Sequence, residues 1–189
     1  MAGRLIRRTR REPALLRPPV PPRAMLALVP EPSLGATIHE TLRASGLSYS
    51  VPVRVTLQTG IDPRDGDWRD LVADVVARHA AYAVRLRGPD VIQDRTVLLR
   101  VVDQPTVLLR DDLHRALRAG GFVAVDDPVE DLTLALAGTW TDLSRNQVHE
   151  LAGNLRDALG EPVEFRAEVV YGFDEAADDD LPRAEFKLA

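Results

Sequence analysis

Two short stretches decide the fold: Val53-Arg54-Val55-Thr56-Leu57-Gln58 and Asp131-Leu132-Thr133-Leu134. Each alternates apolar and polar residues, the period of a strand with one buried face. In the first, Arg54, Thr56 and Gln58 point one way and Val55 and Leu57 the other. In the second, Asp131 and Thr133 share the face opposite Leu132 and Leu134. Aligned on Thr56 and Thr133, the two sites lie 77 residues apart, and each is followed by a Gly and a Trp: Gly60 and Trp68, then Gly138 and Trp140. Related by a pseudo-two-fold axis, the two polar rows would face one another across a cleft.

The flanking sequence repeats one grammar. Met25 to Val29 reads as a buried strand stopped by Pro30. Ser33 is placed to cap a helix carrying Leu34, Ile38 and Leu42, which Gly46 can end. Trp68, Leu71, Val72, Val75 and Val76 fall at helical spacing after Asp67. Tyr82 to Leu86 and Arg95 to Val102 read as strands joined around Gly88-Pro89. Leu109, Leu113, Ala116 and Leu117 make a helix stripe ending at Gly120-Gly121. Leu132 to Leu136 is a strand. Ser144 and Gln147 form a capping-box pair ahead of Val148, Leu151, Leu155 and Leu159. Val163 to Tyr171 reads as one strand, and Ala184 to Leu188 as a short closing strand after an acidic stretch from Asp174 to Asp180. The order β-α-β-α-β-β-α-β-α-β suggests an internal duplication with its seam near residues 88–96.

This order, with the paired Thr-Leu strands, resembles the 2H phosphoesterase superfamily of 2′-5′ RNA ligase-like and cyclic phosphodiesterase-like proteins. The resemblance covers about residues 25–188. It implies an α+β fold of two lobes, about 24–95 and 96–189, with mainly antiparallel sheets flanked by helices around a central cleft. It also implies action on a 2′,3′-cyclic or 2′-5′ phosphodiester. In the superfamily, two His-hydrophobic-Thr/Ser-hydrophobic motifs supply the general base and acid. Here the His positions hold Arg54 and Asp131. Arg cannot exchange protons near neutral pH, because its pKa exceeds about 12. Asp131 could act as a base only with a raised pKa, and an arginine opposite would lower it. The carry-over therefore keeps Thr56 and Thr133 as phosphate hydroxyl donors, with Arg54 as an anion clamp, and loses the acid/base pair. Arg54 and Asp131 would otherwise form a salt bridge that locks the lobes.

The expected function is binding of an RNA end or nucleotide phosphate in the cleft, with degenerate catalysis. The alternatives are an active phosphodiesterase with a non-His site, and a non-catalytic module that binds another protein. No cofactor or metal is expected, and the expected compartment is the cytoplasm.

The counts agree with this expectation. The 189 residues include no Cys, which excludes a disulfide framework, a zinc ribbon and a thiol nucleophile. At 45% apolar residues the chain can bury a core. No apolar run approaches the ~18 residues of a membrane span. The four His (His39, His79, His114 and His149) all fall outside the two Thr-Leu strands. His39-Glu40-Thr41-Leu42 spells the superfamily pattern, but it lies on the first expected helix. His149-Glu150 misses the HExxH spacing because residue 153 is Gly. His79 is expected to close a helix, and His114 to be exposed beside Asp111. The net charge of −5 resolves into a +6 arm over residues 1–23, rich in Arg and Pro, and a −11 body. The arm is expected to be disordered, and a basic arm can screen phosphate charge.

Overall fold

The computed structural model describes residues 23–47, 53–63, 68–123, 132–137, 143–175 and 181–189. Residues 1–22 of the arm, Asp67, Gly138, Trp140 and the acidic residues 178–180 lie outside the described residues, as does Asp131. The elements run β1 (Ala24–Leu28), α1 (Pro32–Ala44), β2 (Val55–Ile61), α2 (Trp68–Val76), β3 (Tyr82–Ile92), β4 (Thr96–Val101), α3 (Gln104–Ala119), β5 (Thr133–Ala137), α4 (Arg145–Leu159), β6 (Val163–Ala167), β7 (Val169–Asp174) and β8 (Ala184–Lys187). They build two four-stranded sheets, ordered β2-β1-β7-β8 and β5-β4-β3-β6. Every strand pair is antiparallel. The expected α+β architecture of antiparallel sheets flanked by helices is present.

Helix faces carry the apolar stripes read from the sequence. Ile38 and Leu42 of α1, Val72, Val75 and Val76 of α2, Leu109, Leu113 and Leu117 of α3, and Val148, Leu151 and Leu155 of α4 are all buried. They join Leu26, Leu28, Val55 and Leu57 of one sheet and Val84, Leu86, Val97, Leu99 and Leu134 of the other in a single apolar cluster. The helices thus cover the same side of both sheets, and alternate strand residues point to the uncovered side. The Ser144–Gln147 capping box forms at the start of α4.

Several local expectations change. Helix α1 starts at Pro32, whose fixed φ suits a first helical position, so Ser33 lies inside the first turn and does not cap it. The segment read as one strand from Val163 to Tyr171 breaks at Glu168 into β6 and β7, which join different sheets. The two sheets thus draw strands from different stretches of the chain. β7 and β8 return to the sheet of β1 and β2, while β3 to β6 form the other.

The β3–β4 turn also moves. Strand β3 runs through Gly88-Pro89 and turns at Gln93 and Asp94, both at positive φ, with Arg95 N–H donating to the Ile92 carbonyl. Three residues, Gln93 to Arg95, thus separate the paired Ile92 and Thr96, and the positive φ of the first two suits the twist of the hairpin. Asp94 in this turn accepts from His149 Nε2 at 2.8 Å and pairs with Arg145 at 3.0 Å. The hydrogen bond from His149, aided by Arg145, holds its carboxyl below the usual value. Gly88 marks instead a register shift between Arg87 and Asp90.

Two outcomes follow for stability. Gly88 has φ +119°, and a Cβ there would meet Asp90 N at 2.8 Å and the Leu98 carbonyl at 3.1 Å. Gly88→Ala is expected to lose about 1–3 kcal/mol in urea unfolding. Burial pushes the Tyr82 hydroxyl from 10.0 up to about 12. The unfolded chain ionises first, so stability should fall as pH rises from 10 towards 12. In Tyr82→Phe that fall, measured by urea titration across this range, should be shallower.

Candidate functional site on the uncovered faces of β2 and β5

β2 and β5 are both edge strands, and they lie against each other. The uncovered faces of the two sheets therefore meet along this line. Thr56 stands opposite Ala27 of β1, and Ala27 stands opposite Tyr171 of β7. Met25, Ala27 and Phe173 form a second, smaller apolar group on this side, with Tyr171 and Val29 packed against it. Arg54 immediately precedes β2. Its guanidinium carbon sits 4.9 Å from the centroid of the Phe173 ring, over its face.

On the other sheet, Thr133 stands opposite Arg100 of β4, and Arg100 opposite Arg87 of β3. Leu132 and Leu134 are buried on the helix side, so Thr133 points away from it. Arg100 donates from Nε to Asp90 at 2.8 Å. The chain thus puts Arg54 and Thr56 on one side of the β2/β5 line and Thr133 on the other. Hydroxyls and an arginine can bind phosphate oxygens, and none of the three can serve as a general base near neutral pH.

The row of polar residues is one member shorter than the sequence pattern implied. The β1–β2 register shifts between Leu26 and Ala27, so that Leu26 faces Gln58 and Ala27 faces Thr56. One extra residue, Leu57, is accommodated as a bulge. Gln58 therefore turns to the helix side and is fully buried. Its Nε2 donates to the Thr59 carbonyl at 2.8 Å, which leaves Oε1 to accept from His114 Nδ1 at 3.0 Å. His114 is thus a half-buried partner of Gln58, and the expectation of exposure beside Asp111 does not hold. Strict alternation in the sequence hid this bulge, because the polar character of Gln58 fitted the outer row.

The other histidines also belong to the helical layer. His39 is on α1, where Thr41 returns its hydroxyl to the Thr37 carbonyl. His79 follows α2 and pairs with Asp112 of α3 at 3.2 Å. His149 is on α4 with Asp94. Among the described residues no cluster of three metal-ligating side chains occurs, and no helix is long and apolar enough to cross a membrane.

No protein-family profile and no curated protein matches the sequence. Solved structures do match. Escherichia coli LigT complexed with 3′-AMP shares 13% identity over 89% of this chain and 99% of its own, with a TM-score of 0.58. TT0787 of Thermus thermophilus shares 16% identity over 88% and 97%, with a TM-score of 0.59. Kluyveromyces marxianus Usb1 shares 10% identity over 88% and 98%, with a TM-score of 0.51.

The Gln58–His114 pair carries its own test. His114→Ala leaves the buried Gln58 Oε1 without its donor and should cost about 1–3 kcal/mol in chemical denaturation. The double variant Gln58→Leu/His114→Leu should cost less than the sum of the two single changes. These structural matches show that the chain has the fold of LigT, TT0787 and Usb1.

Proposed function

We propose that this protein is a 2H phosphoesterase-like, 2′-5′ RNA ligase-like binder of an RNA end or nucleotide phosphate, degenerate in catalysis. The observation that carries the reading is the placement of the four histidines. All are on or beside helices, and none is on β2 or β5. Immediately before β2 stands Arg54, a permanent cation. General acid–base catalysis needs a group that changes protonation near the working pH. A permanent cation beside hydroxyls instead favours a bound phosphate in its ground state. LigT was solved with 3′-AMP and with phosphate, which supports a nucleotide phosphate as the ligand class. In this reading Arg54, Thr56 and Thr133 contact the phosphate, residues 24–189 act as one domain and the compartment is the cytoplasm.

The test uses the whole chain with 2′,3′-cyclic AMP and 3′-AMP. Cyclic phosphate hydrolysis should not exceed background. Binding of 3′-AMP should weaken roughly tenfold in Arg54→Ala, the worth of one charged hydrogen bond. Turnover that disappears in Arg54→Ala or Asp131→Ala would overturn the degenerate reading. Unchanged affinity in Arg54→Ala would remove the anion clamp.

A further inference from the structure

The cross-strand row that begins at Thr133 ends on an unusual pair. Arg100 of β4 and Arg87 of β3 stand directly opposite each other on the uncovered face. Like charges in that relation, with Cβ atoms roughly 5 Å apart, are destabilising. The other arginines of β3 and β6 on this face are matched to acids. Arg85 meets Glu164 at 2.9 Å, and Arg166 meets Glu168 at 2.8 Å. Asp90 offsets the charge of Arg100. Arg87 is exposed and makes no ion pair among the described residues. An uncompensated cation thus sits on a body whose net charge is −11. It lies two strand spacings, about 10 Å, from Thr133.

We propose that Arg87, with Arg100 beside it, forms a subsite for a second phosphate of a single-stranded oligonucleotide. The inference rests on the reading that the first phosphate sits at Arg54, Thr56 and Thr133. The row Thr133–Arg100–Arg87 then gives the strand a track away from the β2/β5 line. A planar guanidinium can hold a phosphate through two parallel hydrogen bonds. A bound phosphate also relieves the repulsion between Arg87 and Arg100. Contacts of this kind read the backbone and carry no base preference. The ligand favoured is therefore a strand end with at least one further phosphate, in place of a mononucleotide.

The experiment compares 3′-AMP with a 3′-phosphorylated tetranucleotide by titration at several salt concentrations. The wild-type chain should bind the tetranucleotide roughly tenfold more tightly. Arg87→Ala should remove most of that advantage and leave 3′-AMP affinity unchanged. Its slope of log affinity against log salt should fall by about 0.7, one phosphate contact on a single strand. Arg85→Ala, on the same face but matched to Glu164, should change neither ligand. Equal wild-type affinity for the two ligands overturns the subsite and leaves the cleft reading standing. The subsite is likewise overturned if Arg87→Ala alters neither ligand or weakens both equally. Failure of the wild-type chain to bind 3′-AMP overturns the cleft reading itself.

Discussion

The structure depends on burying one face of two separate sheets beneath four helices. Once α1 to α4 share one core with both sheets, every strand has an apolar side and a side the helices do not cover. Alternation then decides which residues are available to a ligand. Val55 and Leu57 go to the core and Thr56 does not; Leu132 and Leu134 go to the core and Thr133 does not. The meeting of β2 and β5 as edge strands brings the two available sets to one line. A site built this way needs no dedicated loop, because the packing of the core aims its side chains.

Much of this was legible in the sequence. The helix stripes, the Ser144–Gln147 capping box and the two Thr-Leu strands are local signals. Their periods are fixed by backbone geometry. What was not legible depended on partners distant in sequence. The bulge that turns Gln58 inwards exists only because β1 pairs with β2 in a shifted register, and nothing in Val55 to Thr59 departs from alternation. The same applies to His114, whose partner lies 56 residues away. The break at Glu168 falls inside an unbroken strand-like pattern, and the different sheets on either side of it are a tertiary fact. The β3–β4 turn shows the converse error. Gly88-Pro89 looks like a turn in isolation, but a glycine at positive φ also serves a register shift within a strand.

The chemistry of the uncovered face follows from which side chains reach it. Histidines placed among the helices bind carboxylates or an amide: Asp112 for His79, Asp94 for His149 and Gln58 for His114. They stabilise contacts between elements. Arg54, immediately before β2, lies with its guanidinium over the Phe173 ring. Under the proposed reading, hydroxyls and a permanent cation without a proton carrier would favour binding of a phosphate over its cleavage. An acidic body gives little general attraction to nucleic acid, so the proposed phosphate sites depend on the local cations Arg54, Arg87 and Arg100.

The most direct measurement is a crystal structure of the full chain soaked for a long period with 2′,3′-cyclic AMP. An intact cyclic phosphate is expected against the β2/β5 line, with the Thr56 and Thr133 hydroxyls and the Arg54 guanidinium on its oxygens. A ring-opened phosphate there, or a nucleotide held only against the helical layer, would contradict it.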